Sequence, residues 1–453
     1  MTAVVALAVP WISAAGFGAL DARRRWVGWA AAAVLALHVA LLAWLGAQVL
    51  LDGPQDIVTG GWAPGVGIVL HVDALGVAFA FVSSTCLLLS LVHELLDGPE
   101  SRVFPALVLF AAAGLTGLFF TGDVFNFFVF FELSMISAYA LAVHGGEAPQ
   151  IRAAFVFAVV NLLGSFVFLI AVAAIYHVTG ALEMGTVAAR MDEVEPNSVI
   201  LIAVAVFVAF GVKLGLFPFH FWLPPVYTGA RPAVAAILSG AIANIGPYGL
   251  IRFGGAILPA ELEIGATVLA AVGGASILYG SMQAMARRAT TEVLAYSSIG
   301  QNGYVLLALA VGGPLGFTAA IVYSLVNALN KTVLFFAAGA RGRLVGAAFA
   351  IGAFSVVGVP PTAGFFAKVE LFLAGIETGR YALVSLVVIG GALSFLYMFQ
   401  IYQHDYWRSR DGVRFGMRLQ LLVFAVAAFI LALGLWPEPL LRLTEHAVEG
   451  VLR

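Results

Sequence analysis

The chain has 453 residues, of which 62% are hydrophobic and only 10% charged, against about 45–50% and about 25% in an ordinary soluble domain. No water-soluble core of this length needs that much apolar surface, and a formal net charge of −2 gives no basis for a nucleic-acid partner. The single cysteine, Cys86 in an apolar run, excludes an internal disulfide and a cysteine-based metal cluster, and reads as a small packing residue.

A bilayer-spanning helix needs roughly 20 mostly apolar residues, and such runs recur from the first residues to the last. In chain order they predict helices over 2–20, 27–50, 68–95, 103–121, 124–144, 151–178, 197–225, 231–257, 262–283, 293–311, 315–340, 345–376, 381–402 and 416–436. The expected architecture is an all-α polytopic membrane protein of about 14 transmembrane helices in a single transmembrane domain. The first run lacks a preceding basic segment and is followed by Arg23, Arg24 and Arg25, so it reads as a retained helix rather than a cleaved signal.

Cytoplasmic loops of membrane proteins are enriched in Lys and Arg. Breaks after odd-numbered helices hold Arg23, Arg24, Arg25, Arg102, Arg152, Arg231, Arg287, Arg288, Arg341, Arg343, Arg408, Arg410, Arg414 and Arg418, whereas breaks after even-numbered helices hold only Arg190, Arg252 and Arg380. Odd-helix loops are therefore expected in the cytoplasm of a bacterial cell, with both termini on the outer side of its inner membrane. The acidic stretch Asp192-Glu193-Val194-Glu195 then falls outside as well.

Two helices are interrupted alike, the seventh at Gly215-Leu216-Phe217-Pro218 with Pro224-Pro225 beyond, and the twelfth at Gly358-Val359-Pro360-Pro361 with Gly364 beyond. Proline removes a backbone donor and clashes with the preceding turn, so each helix is expected to break inside the membrane. Such breaks at corresponding places in two halves point to inverted repeats, here 103–257 and 262–402. Prolines that merely kink helices for packing are the plainer alternative, but each break lies beside a lysine.

The chain has three lysines, Lys213, Lys331 and Lys368, all inside predicted membrane helices, while every basic loop position is arginine. Arginine stays protonated in practice, whereas a buried lysine can load and release a proton near neutral pH. A lysine at the bilayer centre costs roughly 2.5–3.5 kcal/mol on insertion scales, which makes three of them a functional hypothesis. Structural ion pairs or snorkelling to an interface are the alternatives; snorkelling suits Lys331 and Lys368 better than Lys213, which lies between two apolar stretches.

Glu132 is the matching acid, within Phe125-Asn126-Phe127-Phe128-Val129-Phe130-Phe131-Glu132-Leu133-Ser134-Met135. Paired with a buried lysine it stays ionised, and separating the pair releases the proton; breaking such a pair takes about 3–5 kcal/mol, so a driving event elsewhere is required. His220, Asn244 and Tyr304, with Tyr227, His144, Tyr139, Ser134, Ser137, Ser239, Asn327, Asn330 and Gln301, are polar groups in or near apolar helices that can hold a water chain or simply bond helices together. His220 leads this group because histidine titrates closest to physiological pH. His71, His93 and His404 read as interfacial. No spacing supports a metal, nucleotide, flavin or other cofactor.

Four segments carry a resemblance: Thr121-Gly122-Asp123-Val124-Phe125-Asn126-Phe127-Phe128-Val129-Phe130-Phe131-Glu132-Leu133; Lys213-Leu214-Gly215-Leu216-Phe217-Pro218-Phe219-His220-Phe221-Trp222-Leu223-Pro224; Leu294-Ala295-Tyr296-Ser297-Ser298-Ile299-Gly300-Gln301-Asn302-Gly303-Tyr304; and Gly358-Val359-Pro360-Pro361-Thr362-Ala363-Gly364-Phe365-Phe366-Ala367-Lys368. Together they resemble the antiporter-like subunits shared by respiratory complex I, membrane-bound hydrogenases and the Mrp multisubunit sodium/proton antiporters. Gly60-Gly61-Trp62-Ala63-Pro64-Gly65-Val66-Gly67-Ile68, the Gly122-Asp123 start of the fifth helix and the length are most similar to the Mrp D-subunit family. The resemblance implies a proton path through Glu132, Lys213, Lys331 and Lys368. It also implies other membrane subunits as partners, with protons and Na⁺ as the transported ions.

The family pattern is not met in three places. Asn244 stands where the eighth helix usually has a lysine, Val326 and Asn327 where the eleventh usually has a histidine, and Thr291 and Glu292 where a basic pair usually precedes Ala-Tyr-Ser-Ser. The resemblance thus implies a central relay that is shortened or carried by water. Three readings stay open on sequence: a subunit of a cation/proton antiporter, an antiporter-like subunit of a redox-driven complex, and a structural membrane scaffold.

Overall fold

The computed structural model describes residues 2–61, 67–98, 101–408 and 412–452; residues 62–66 of the segment beginning at Gly60, and Arg410, lie outside them. Each of the fourteen apolar runs contains a helix. The first two are α1 (Thr2–Gly18) and α2 (Arg25–Asp52). The third begins later than expected, as α3 (Ala74–Asp97), because β1 (Gln55–Val58) and β2 (Val69–Val72) pair antiparallel with Gln55 opposite Val72. Asp73 fixes the start of α3 by accepting from the Gly76 amide at 2.8 Å. Next come α4 (Phe104–Phe120), α5 (Val124–Ala142), capped by Asp123 through the Asn126 amide at 2.7 Å, α6 (Ala148–Thr179) and the short α7 (Met184–Met191).

The seventh run breaks as its prolines predict, into α8 (Pro196–Leu214), a 3₁₀ turn over Phe219–Trp222 and α9 (Leu223–Gly229). The eighth run breaks too, which its sequence did not lead one to expect: α10 (Pro232–Gly240) and α11 (Ile245–Ala256) flank a 3₁₀ turn over Ile242–Asn244. Pro247 has no amide to donate to the Ala243 carbonyl and its ring crowds that oxygen, which opens the helix here, and a tertiary contact accompanies the break. Gly240 packs so closely on the eleventh helix that a Cβ would run into Thr332 and the Ala328 carbonyl. After α12 (Pro259–Ile264) come α13 (Ala266–Met285), α14 (Thr290–Val311) and α15 (Gly313–Ala337). The twelfth run splits into α16 (Arg343–Val357) and α17 (Ala363–Glu377), packed together where a side chain at Gly364 would meet the Ser355 carbonyl. Beyond α18 (Tyr381–Ile401) and a π-helical turn over Tyr402–Arg408, the strand β4 (Val413–Arg414) pairs parallel with β3 (Ala340–Arg341). The chain then forms α19 (Met417–Leu435) and an amphipathic α20 (Glu438–Val451), which is too polar to register as an apolar run.

Ten helices or broken helices are long and apolar enough to span a membrane, and three shorter apolar ones accompany them, among the described residues. The α10–α11 and α15 spans are 94% buried inside the protein, against 33% for α2 and α18. The polar groups of interest lie on the central helices.

One end of the bundle is tied by an ion pair. Arg252 on α11, counted above as a loop arginine, is only 5% exposed, and its Nη2 lies 2.8 Å from Asp73. Tyr248, one turn earlier, accepts from the same guanidinium and donates to the Phe119 carbonyl at 2.8 Å. His71 of β2 bridges the exposed Asp56, at 2.6 Å, and the buried Asp73, at 3.7 Å. We expect Asp73→Ala, which strands a buried guanidinium, to cost about 3–5 kcal/mol; a detergent-solubilised melting temperature equal to wild type would contradict this.

The carboxylate of Asp73, with a smaller share from Asp56, raises the proton affinity of His71 above the ordinary imidazole value despite its burial and the opposing charge of Arg252. A group whose folded pKa is raised adds stability that is fully present below its unfolded value of about 6.5 and lost as pH climbs through the folded value. Amide exchange over Val69–Val72 is therefore expected to quicken above neutral pH beyond its intrinsic rise. His71→Gln should abolish that extra pH dependence.

Candidate functional site

All three lysines are buried: Lys213 is 7% exposed, Lys331 0% and Lys368 8%. None snorkels to an interface. Lys213 occupies the last turn of α8, two residues before Gly215, which takes the left-handed conformation (φ 61°) and ends the helix. Its ammonium sits over the Phe131 ring, 4.1 Å from the centroid. Glu132 follows Phe131 on α5. The two are not in contact: Lys213 Nζ and Glu132 Oε1 have no hydrogen-bond partner among the described residues, and no ion pair forms between them. Beside the ammonium is a cavity with about 10 Å³ open to a water's centre, lined by Met135, Asn161, Lys213, Trp222 and Tyr227, room for about one water.

The two predicted breaks share one construction. At the first, the Leu216 amide donates back to the Gly211 carbonyl at 3.2 Å; at the second, Val359 donates to Phe354 at 2.9 Å, after Gly358 with φ 88°. This closure leaves carbonyls of the broken end to be met by side chains. Trp222 Nε1 donates to the Val212 carbonyl at 3.1 Å and Asn302 of α14 donates to Leu214 at 2.7 Å, while Ser276 of α13 accepts from the Phe217 amide at 3.0 Å. At the second break the partner is Lys368, whose Nζ donates to Val357 at 2.9 Å and stands 4.9 Å from the centroid of the Tyr304 ring.

Lys331 lies deepest, donating to Ser297 Oγ at 2.9 Å and to the Leu294 carbonyl at 3.3 Å. Asn244 sits in the unexpected break of the eighth span, bonded to Ser83 Oγ at 3.0 Å and the Gly240 carbonyl at 3.2 Å. Gly240, which accepts from Asn244, abuts Thr332, the neighbour of Lys331.

His220 stands apart, stacked with Phe217 and tilted against Tyr279, whose ring centroid is 4.4 Å away. It opens into a cleft of about 530 Å³ that also contains Arg287, Glu292 and Tyr296. His144 is held by Glu94 at 2.9 Å, and Glu94 also faces Arg231. Ser134, Ser137 and Ser239 donate to carbonyls of their own helices, and Tyr227 donates to Leu238. Tyr139 keeps an unpartnered hydroxyl. Asn327 and Asn330 line a second small cavity with Gln301 and Tyr323. His404 is exposed, as an interfacial residue should be, but His93 is 1% exposed and stacked on Phe336, so it is a buried ring rather than an interfacial one. Ser297 and Asn302, which touch the lysine sites directly, lie in the segment that carries the resemblance but were not singled out within it, and Ser276 had no signal beyond being a polar residue in an apolar helix.

The transmembrane family described as NADH:quinone oxidoreductase/Mrp antiporter matches residues 121–343 and 340–394. The D subunit of the Na(+)/H(+) antiporter of Alkalihalophilus pseudofirmus is 30% identical, over 90% of this chain and 88% of that protein. The N subunit of the NADH-quinone oxidoreductase of Desulforudis audaxviator is 34% identical, over 84% of this chain and 80% of that protein. Among solved structures, a chain of the Mrp complex from a Dietzia species superposes with a TM-score of 0.92 at 27% identity, covering 99% of this chain and 97% of that one. A chain of a membrane-bound sulfane sulfur reductase, an archaeal respiratory membrane complex, gives 0.92 at 26% identity, covering 100% and 98%.

Proposed function

The chain belongs to the NADH:quinone oxidoreductase/Mrp antiporter transmembrane family, and from that premise we propose that it is the proton-translocating subunit of a multisubunit cation/proton antiporter. It is a multi-pass membrane protein. In this reading it lies in a bacterial cell membrane with both termini outside, crosses fourteen times, works beside other membrane subunits, and exchanges protons for Na⁺. Its halves, 103–257 and 262–402, are inverted repeats, a view supported by the matching closure of the breaks at Gly215 and Gly358.

One observation carries the reading: every lysine of the chain is buried within the membrane helices, two of them at broken helix ends, and one faces the only acid predicted inside the fifth helix. Protons are held and passed by Glu132 and Lys213 in the first half and by Lys331 and Lys368 in the second, with Asn244 between them, Tyr304 beside Lys368 and His220 in the cleft at the first break. The arrangement seen is the separated one, with Phe131 under the ammonium and Glu132 unpaired. Approach of the carboxylate holds the proton on Lys213 and withdrawal releases it.

A second reading, an antiporter-like subunit of a redox-driven complex, is favoured by the 34% identity to the N subunit of an NADH-quinone oxidoreductase. It shares the proton work and differs in what drives it. The partners that copurify separate the two, since only the redox complex brings iron–sulfur proteins.

The test is flux in vesicles containing the complex purified with its native partners. Glu132→Ala and Lys213→Ala are each expected to lower proton and sodium exchange at least tenfold without loss of assembly. Assembled complexes with wild-type exchange would leave the chain a structural scaffold.

A further inference from the structure

The two lysines of the second half sit on α15 and α17, which pack against each other, and the neighbouring α18, packed on α17 and α14, reads in sequence as a plain apolar span. Its face toward them is not plain. The adjacent Gly390 and Gly391 are followed at about one-turn spacing by Ser394 and Tyr397, which are 0% and 1% exposed. Lys331 donates to Ser297 Oγ at 2.9 Å, and that oxygen lies 3.0 Å from the Tyr397 hydroxyl. Tyr397 in turn lies 3.1 Å from Ser394 Oγ, and Gln301 Nε2 bonds both, at 3.2 and 3.4 Å. The other end of the Gln301 amide accepts from Tyr323, whose ring packs 5.1 Å from that of Tyr304.

The chain then reaches Lys368. The Tyr304 hydroxyl is buried without a hydrogen-bond partner and lies against Gly390, where a Cβ would collide with it. Lys368 Nζ lies beside Gly391, 3.6 Å from where a Cβ would stand. The absent side chains at 390 and 391 thus make room for the Tyr304 hydroxyl and the lysine head.

Resting on the proton-translocating reading above, we infer that the Tyr397 hydroxyl is the bridge by which a proton passes between Lys331 and Lys368. The step conserves every bond. As the Lys331 ammonium gives a proton to Ser297, Ser297 gives its own to Tyr397, and Tyr397 gives its own to Ser394. The last hop runs by the Tyr304 hydroxyl to the amine of Lys368, swung away from the Val357 carbonyl. One N–H bond breaks at Lys331, one forms at Lys368, and each hydroxyl loses one proton and gains one. Gln301 is a positioning residue that holds Tyr397 and Tyr323 in line.

The test uses the complex purified with its native partners and reconstituted in vesicles. Tyr397→Phe keeps the ring and removes the hydroxyl; it is expected to lower proton flux about tenfold or more, like Lys331→Ala. Phe395→Leu, on the exposed side of the same helix, is expected to retain wild-type flux. An assembled Tyr397→Phe complex with wild-type flux, beside an inactive Lys331→Ala, overturns the bridge and leaves the proton reading standing. Wild-type flux in both overturns the proton reading itself. Where Tyr397→Phe does not assemble, Ser297→Ala cuts the same chain one link earlier, and the same two outcomes decide.

Discussion

A helix broken inside a bilayer leaves backbone carbonyls with no water to bond, and this constraint organises the protein. In lipid each backbone group must find a partner within the protein. Here the ends at Gly215 and Gly358 turn on themselves, and the carbonyls left over are met by Trp222, Asn302 and Lys368. A helix C-terminus also carries roughly half a negative charge, so the geometry that forgoes hydrogen bonds creates a place where an ammonium is favoured. Lys368 donates into one such end, and Lys213 lies in the last turn before the other.

Two of the partners at the first break come from the other half of the chain. Ser276 of α13 and Asn302 of α14 both bond the segment between Leu214 and Phe217. Asn302 neighbours Gln301, and Ser297 lies one turn earlier on α14, so a single helix touches the broken end beside Lys213 and the hydroxyls beside Lys331. A shift of α14 along its axis therefore changes both sites together. That contiguity is a physical route for coupling, whose size is a matter for double-mutant cycles.

Much of this was legible in the chain itself because membrane physics writes long, one-dimensional signals. Fourteen apolar runs match fourteen helical segments, and Gly215 with Pro218, and Gly358 with Pro360 and Pro361, mark two real breaks. What was not legible depends on contacts between distant residues. The break at Ile242–Asn244 lies one turn before Pro247, which cannot bond the Ala243 carbonyl, but the close contact of Gly240 with Thr332 that accompanies it has no local signal. Arg252 reads as a loop residue until Asp73, 179 positions away, is placed against it. His93 becomes a core ring through Phe336 and Phe415. Tyr397 gains meaning only from Ser297, 100 positions earlier. Glu132 and Lys213 were paired by chemistry alone, and chemistry does not say that Phe131 stands at the ammonium.

Asn244 shows how such a protein differs from a uniform wire. An amide neither binds nor releases a proton at working pH, so this position can orient a hydroxyl or a water but cannot store charge. It does the former, holding Ser83. On the proposed proton path, charge storage is then confined to two stations, Glu132 with Lys213 and Lys331 with Lys368, separated by neutral groups. Leaving the centre neutral avoids a further buried ammonium, roughly 2.5–3.5 kcal/mol on insertion scales. In the proposed path a proton crossing the middle then has no resting place, so occupancy of one station would bear on the other through the field between them and through α14 rather than through an intermediate lysine.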